Sequence, residues 1–198
     1  MLVNVISIRS ASSFNQLQSA VQTNFKTMKR LWFLLFLTPW WINKTNAQTP
    51  TSVMEAEGYK IPVYDFKNID PILNRANDTV YVYNFWATWC IPCVEELPNF
   101  LKFDSAMHNQ PVRVLLVSID MKSQLRTKLV PFLKSRNITT PVVVLSDPDA
   151  NAWIDKVDKT WSGSIPATLF VYKGQKHFHE GQLTYDELYQ TVESLRKQ

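Results

Sequence analysis

Cysteine is scarce in this chain, since only Cys90 and Cys93 occur among its 198 residues. A disulfide framework needs further pairs, so disulfides cannot be the main support of the fold. Histidine is almost as rare, and His108, His177 and His179 do not lie at zinc-finger spacing. A structural zinc ion needs four ligands, so the cysteine pair alone is half a site. We therefore expect the protein to need neither a metal nor an organic cofactor.

Acidic residues are absent from the first 47 residues, although this stretch contains five basic ones. Without those five, the chain's 21 lysines and arginines fall to 16, against 17 aspartates and glutamates, which is a net charge of −1. The basic balance of the whole chain therefore comes from its beginning. It does not indicate nucleic-acid binding, and we expect no nucleic-acid partner.

The beginning of the chain has the pattern of a secretory signal peptide. Lys29–Arg30 precede the apolar run Leu31–Leu37, and a polar segment after it ends in Thr45–Ala47. We expect Met28 to be the true start, cleavage directly after Ala47, and a periplasmic or otherwise extracytoplasmic product. The apolar core is about a dozen residues long, which is short against the roughly 20 that span a bilayer. An uncleaved membrane anchor is the alternative.

Residues 48–198 are expected to form one domain, because about 150 residues suffice for a full core. Apolar and β-branched runs predict strands, and apolar stripes predict helices between them. The predicted strands are Tyr59–Phe66 (an edge strand, because of Pro62), Thr79–Trp86, Val112–Ile119, Pro141–Leu145, Ala167–Tyr172 and Gln175–Glu180. Helices are predicted from about Ile91, through Leu125–Leu133, after Asp149, and after a capping box at Thr184–Glu187. This alternation predicts a three-layer α/β/α sandwich with a central mixed sheet.

Cys90 and Cys93 form a C-x-x-C pair between a predicted strand and a predicted helix. Such a pair can open and close with little backbone change. At a helix N-terminus, unsatisfied N–H groups and the helix dipole favour the thiolate of the first cysteine, and the thiolate is the nucleophile of disulfide exchange. The alternatives are half a zinc site and a structural staple, but a staple across so short a loop restrains the unfolded chain little. The pair therefore predicts redox chemistry, with Cys90 attacking and Cys93 resolving.

The sequence around the pair resembles the active-site signature of the thioredoxin superfamily, Phe85-Trp86-Ala87-x-Trp89-Cys90-x-Pro92-Cys93. With Asn84, Thr88, Glu96 and Pro98, it is similar to the TlpA/ResA-type branch of extracytoplasmic thiol:disulfide oxidoreductases. The resemblance extends roughly from Val53 to the C-terminus. It implies a thioredoxin-like fold and an exported reductant of protein disulfides. It also implies a membrane-bound electron donor and a place in cytochrome c maturation.

The resemblance implies a substrate surface as well. Gly163–Thr168 resembles the superfamily's cis-proline loop, which faces the cysteines and pairs with an extended substrate through the residue before the proline. Ile165 and Pro166 are therefore expected to form the substrate platform. Trp89 is expected to be exposed beside Cys90 and to bind substrate together with Ile165 and Pro166.

Two further positions concern the proton of Cys93. Many cytosolic thioredoxins carry a buried aspartate at the place of Asn84, but an amide does not titrate near neutral pH. Glu96 follows Cys93 by three residues, so the two share a helix face. It matches a glutamate that TlpA/ResA-like proteins carry near their cysteines. We expect Glu96 to be partly buried, to have a raised pKa and to take the proton from Cys93.

Several alternatives stay open at this stage. The protein could donate disulfides as an oxidant, because Ile91-Pro92 between the cysteines does not decide the direction. It could also be a non-enzymatic module that binds extended peptides. His177 and His179 point to one side of a predicted strand, but no third metal ligand is apparent, so we interpret them as a solvated face. We expect protein thiols and disulfides as substrates and a monomer.

Overall fold

The computed structural model of this protein describes residues 48–197. The predicted signal peptide, Met28 and the rest of residues 1–47 lie outside this part, so the leader and the boundary after Ala47 stay predictions. Within residues 48–197, the structure contains no helix whose length and apolarity would let it cross a bilayer.

Seven strands and five α-helices make up the described part of the chain. The strands are β1 (Ser52–Ala56), β2 (Tyr59–Tyr64), β3 (Val80–Trp86), β4 (Val112–Ser118), β5 (Val142–Leu145), β6 (Ala167–Tyr172) and β7 (Gln175–Glu180). The helices are α1 (Phe66–Leu73), α2 (Ile91–Ala106), α3 (Val130–Ser135), α4 (Ile154–Val157) and α5 (Tyr185–Arg196). Helix α5 begins at the predicted capping box, in which Thr184 and Glu187 bond each other's backbone amides.

One mixed sheet, in the order β1-β2-β5-β4-β3-β6-β7, forms the middle layer. Strands β2, β5, β4 and β3 pair in parallel, whereas β1, β6 and β7 join their neighbours antiparallel. Buried side chains of α2, α3 and α5 form a core on one face, and those of α1 and α4 form a second core on the other. The predicted three-layer sandwich with a mixed sheet is confirmed.

Strand β3 lies inside the sheet and is buried along its whole length. Because side chains alternate along a strand, Val80, Val82 and Trp86 face the core under α2, while Tyr81 and Tyr83 face the core under α1. Asn84 falls on the α2 side by the same alternation. The strand therefore ends directly before the cysteine motif and carries a polar side chain under the helix that holds it.

The edge position predicted for the strand at Tyr59 is wrong. The segment before it, for which no strand was predicted, contains β1, which pairs with β2 and covers that edge. Pro62 is accommodated because the pairing of β2 with β5 begins only at Val63.

The helix predicted through Leu125–Leu133 is divided. A 3₁₀ turn (Lys122–Gln124) leads into a π-helical turn (Leu125–Leu129), and α3 follows. Pro131 lacks the amide that would bond to Thr127 in a regular α-helix, which accounts for an irregular turn before it. Leu125, Leu129 and Leu133 are still buried together, as the apolar stripe predicts.

Candidate active site

Cys90 is the N-cap residue of α2, at the end of the turn that leaves β3. Its backbone is extended, and its amide donates to the carbonyl of Ala87 at 3.2 Å. The sulfur of Cys90 accepts a hydrogen bond from the amide of Cys93 at 3.3 Å, and the two cysteines form a disulfide. Cys93 is completely buried, whereas Cys90 reaches the surface slightly. The helix N-terminus therefore stabilises negative charge on the more accessible sulfur.

Three exposed apolar side chains belong to the segments around Cys90. Trp89 is 58% exposed, Ile91 is 72% exposed and Met121 is 66% exposed. Among residues 48–197 only two other large apolar side chains are exposed to a comparable degree, Val53 and Tyr189. Trp89 lies where the sequence predicted it. Met121 follows β4 and had no signal in the sequence.

The turn before Cys90 is fastened to β4 by Asp120, a residue that the sequence analysis missed. The buried carboxylate of Asp120 accepts the hydroxyl of Thr88 at 2.6 Å and the amide of Thr88 at 3.1 Å. It also accepts the hydroxyl of Ser118 at 2.8 Å. The sequence did contain a partial signal. Ser118 and Asp120 lie at the end of the apolar run of β4, and the carboxyl ends of parallel strands meet at one edge of a sheet.

The loop before β6 faces the disulfide. The Ile165–Pro166 peptide bond is cis, as predicted, and the carbonyl oxygen of Ile165 lies 3.6 Å from the sulfur of Cys90. The indole N–H of the buried Trp161 donates to the carbonyl of Ser164 at 2.7 Å, and this bond ties the loop to the protein interior. From outside, Glu180 accepts the hydroxyl and the amide of Ser162, and these bonds lower the pKa of Glu180.

Glu96 lies one helical turn after Cys93 and is only 2% exposed. One carboxylate oxygen accepts the side-chain amide of Asn84 at 2.8 Å, and the other accepts the backbone amide of Leu183 at 2.8 Å. Burial raises the pKa of Glu96 to about 7, and the two hydrogen bonds oppose that rise only in part. Glu96 is thus buried more completely than the partial burial expected from the sequence, and this burial acts on its pKa in the expected direction.

Asn84 links Glu96 to the loop on the opposite side. Its amide nitrogen also donates to the hydroxyl of Thr168 at 3.3 Å, two residues after Pro166. The amide oxygen of Asn84 is buried and has no hydrogen-bond partner among residues 48–197. The structure thus brings all six predicted site residues, namely Cys90, Cys93, Glu96, Trp89, Ile165 and Pro166, to one end of β3. Their catalytic and binding roles stay predictions.

The histidines of β7 do not form a metal centre in the described part of the chain. His179 contacts the carbonyl of Gln182 at 3.3 Å, and His177 packs against Phe170. No group of three or more histidine, cysteine, aspartate and glutamate side chains within residues 48–197 is placed to hold a metal ion.

The mixed sheet, the C-x-x-C pair capping the helix after an inner strand, and the cis-proline opposite it define a thioredoxin-like protein. Residues 53–176 match the family model described as the AhpC/TSA family, and the chain belongs to this family.

Among curated proteins, the chain is similar to two thiol-disulfide oxidoreductases. It is 32% identical over 73 residues to "Sporulation thiol-disulfide oxidoreductase A" of Bacillus subtilis, covering 37% of this chain and 43% of that protein. It is 26% identical over 119 residues to "Thiol-disulfide oxidoreductase ResA" of Geobacillus thermodenitrificans, covering 57% of this chain and 61% of that protein. The matches thus span about half of these relatives' own lengths.

Among solved structures, the fold is similar to that of a thiol:disulfide interchange protein of the thioredoxin family from Chlorobium tepidum. The two superpose with a TM-score of 0.52 at 19% sequence identity, over 75% of this chain and 96% of that one. This similarity concerns the fold alone.

Proposed function

We propose that this protein is a thiol:disulfide oxidoreductase that exchanges the Cys90–Cys93 disulfide with cysteines of other proteins. The observation that carries the proposal is the position of Cys90. It caps α2, its sulfur accepts an amide hydrogen bond, and it lies 3.6 Å from the carbonyl of Ile165. A sulfur so placed is suited to ionise and to meet a substrate sulfur, while Cys93 is shielded behind it.

In the reducing direction, the Cys90 thiolate attacks a client disulfide. A Cys90–client bond forms as the client's S–S bond breaks, and the first client sulfur leaves as a thiolate that takes up a proton. Cys93 then loses its proton and attacks the Cys90 sulfur, which closes the Cys90–Cys93 disulfide and releases the second client thiol. Two electrons pass from the protein to the client. Glu96 is suited to take the proton from Cys93, because a carboxyl with a pKa of about 7 exchanges protons near neutral pH.

The client segment is proposed to lie along Ile165 and Pro166. The carbonyl oxygen of Ile165 lies 3.6 Å from the sulfur of Cys90, so an extended segment can donate an amide to it while its cysteine meets the sulfur. The exposed rings and chains of Trp89, Ile91 and Met121 then cover the client's apolar side chains. Backbone pairing of this kind reads little sequence, which suits a protein that acts on several clients.

The direction, the electron donor and the compartment are finer parts of the same proposal. The TlpA/ResA-type resemblance supports an extracytoplasmic reductant that receives electrons from a membrane-bound protein and serves cytochrome c maturation. We propose that it acts as a monomer. The names of the curated relatives support thiol-disulfide exchange. The signal-peptide pattern of residues 28–47 supports export.

Trapping experiments test the exchange and the order of the two thiols. Reduced protein should reduce the disulfides of insulin, Cys90→Ser should abolish this activity, and Cys93→Ser should accumulate mixed disulfides. Alkylation of the reduced protein near neutral pH should label Cys90 first. Peptide binding without any disulfide reduction would instead favour the non-enzymatic module, and first labelling of Cys93 would reverse the two roles.

The reduction potential of the Cys90–Cys93 couple tests the direction. A value near that of thioredoxin, about −270 mV, is expected for a reductant, whereas a value near about −120 mV belongs to a strong disulfide donor. The second result would leave the exchange activity standing and replace the reductant by an oxidant.

A further inference from the structure

A second hollow lies at the other end of β3, on the opposite face of the sheet from the cysteines. It has a volume of about 560 Å³ and lies between α1 and the starts of β3 and β4, with Tyr64, Tyr81, Tyr83, Arg75 and Arg113 in its lining. Tyr81 lies five residues before Trp86 on β3, about 17 Å along the strand, and Tyr81 and Tyr83 face the other side of the sheet from the cysteines. The redox site therefore does not explain it.

The polar groups of this hollow are mostly hydrogen-bond donors. Arg75 and Arg113 have no carboxylate oxygen within 4 Å among residues 48–197. The guanidinium of Arg75 lies over the Tyr81 ring, 5.1 Å from its centroid, and one of its nitrogens is 3.5 Å from the Tyr81 hydroxyl. Arg113 uses one nitrogen to donate to two backbone carbonyls, which leaves its remaining N–H groups available.

Tyr64 adds a further donor to the hollow. Its side chain is only 7% exposed and lines the hollow, and its hydroxyl forms no hydrogen bond within residues 48–197 and opens to the hollow. By contrast, the hydroxyl of Tyr83 donates to the carbonyl of Ile72, and that of Tyr81 accepts the side-chain amide of Asn77 at 3.1 Å. Burial raises the pKa of Tyr64, so the group stays protonated and able to donate.

The walls between these donors are apolar. Ile72, Leu115 and Val143 line the hollow, and the rings of Tyr81 and Tyr83 stack with planes 3° apart. The remaining N–H groups of the two arginines call for a ligand that carries acceptors at that position, and a carboxylate fits the planar fork of arginine. The flat apolar walls suit an aromatic ring. A hollow of this volume is within the range of small-molecule binding sites.

We propose that this hollow binds a small aromatic carboxylate, whose charge pairs with Arg75 and the hydroxyl of Tyr64 and whose ring lies between Ile72 and the tyrosines. The site is separate from the disulfide and does not depend on the proposed function.

Calorimetric titration of the purified protein with benzoate tests the proposal, with cyclohexanecarboxylate and inorganic phosphate as comparison probes. Benzoate should bind saturably at one site and more tightly than either comparison probe. Arg75→Gln should weaken it about tenfold, as expected for the loss of a charged hydrogen bond. Tyr64→Phe should weaken it less. Both variants should fold, since Arg75 is exposed and the Tyr64 hydroxyl has no partner to lose.

Arg136→Gln is the matched control, because Arg136 is also exposed and lies over an aromatic ring, that of Phe132, but outside the hollow. It should leave benzoate affinity unchanged, and so should Cys90→Ser. An absence of saturable binding, or equal binding by Arg75→Gln, would overturn the proposal. Phosphate binding as tight as benzoate would overturn the aromatic part, since the site would then select charge alone.

Discussion

Two buried carboxylates stand on either side of the cysteine motif, and they are held differently. Asp120 accepts hydrogen bonds from the amide and hydroxyl of Thr88 and from the hydroxyl of Ser118. Glu96 accepts one bond at each oxygen, and both come from amides. Both side chains are almost fully buried, so the two carboxylates differ in the hydrogen-bond donors around them and not in their exposure. Asp120 anchors the turn before Cys90, whereas Glu96 can gain and lose its proton near neutral pH.

The largest expected effect comes from removing the anchor. Asp120→Ala leaves the partly buried amide and hydroxyl of Thr88 and the buried hydroxyl of Ser118 without this acceptor, which should cost about 3–5 kcal/mol of unfolding free energy in total. Urea unfolding of the oxidised protein measures this loss. Asp155→Ala, at an exposed aspartate on α4, is the control and should unfold at the wild-type midpoint. An unchanged midpoint for Asp120→Ala would show that the anchor contributes no stability.

The next effect is the pH dependence that Glu96 imposes on folding. Burial raises the pKa of Glu96 from 4.5 to about 7, so the folded state binds its proton more tightly than the unfolded state. Below about pH 4.5 Glu96 is protonated in both states, so its titration should not lower the free energy of unfolding of the wild type relative to Glu96→Gln. The wild type should then lose stability as the pH rises to about 7, by about 3 kcal/mol in total. Unfolding of both oxidised proteins from pH 4 to 8 measures this difference. Parallel curves would mean that Glu96 has an ordinary pKa.

A smaller effect is expected on the rate at which the mixed disulfide resolves. Glu96→Gln keeps the shape of the side chain but cannot accept the proton of Cys93, so resolution should slow about tenfold at pH 7 and lose its dependence on pH in that region. Stopped-flow quenching of the mixed disulfide gives the rate. Glu95→Gln, at the exposed neighbour, should behave as the wild type. Equal rates for both variants from pH 5.5 to 8 would reduce Glu96 to a structural group.

The smallest effect separates the two bonds that Thr88 makes. Thr88→Val removes the hydroxyl donor and keeps the backbone amide, so it should cost about 1 kcal/mol of unfolding free energy. Thr127→Val, at an exposed threonine, is the matched control for the change in shape. A loss as large as that of Asp120→Ala would mean that the hydroxyl alone holds the turn.

The contrast between the carboxylates also explains which parts of the site could be predicted. Glu96 is three residues from Cys93, and a helical repeat places it without knowledge of the rest of the fold. Asp120 is 32 residues from Thr88, and their contact exists only because β3 and β4 pair in parallel with Trp86 beside Ser118. The apolar runs indicate that Thr88 and Asp120 each follow a strand, but they do not give the neighbour or the register of those strands, so this contact was missed.

The same reason accounts for the errors in the fold. Strand β1 has only five residues, none of them fully buried, and it exists through its pairing with β2, so it gave no continuous apolar run. The backbone amide of Leu183 as a partner of Glu96 had no side-chain signature at all. Strands β3 and β4 were predicted nearly to the residue, because strands buried on both faces have nearly continuous apolar sequences.

The bond between Leu183 and Glu96 has a consequence for the order in which the site matures. A chain is synthesised from its N-terminus, so the cysteines emerge about 90 residues before the amide that completes the burial of Glu96. Until that last segment docks, Glu96 is an ordinary solvated acid that is ionised at neutral pH. A chain cut short before residue 182 would keep both thiols and lack their tuned proton acceptor. The segment around Leu183 therefore contributes to the raised pKa of Glu96 only after it has docked against α2.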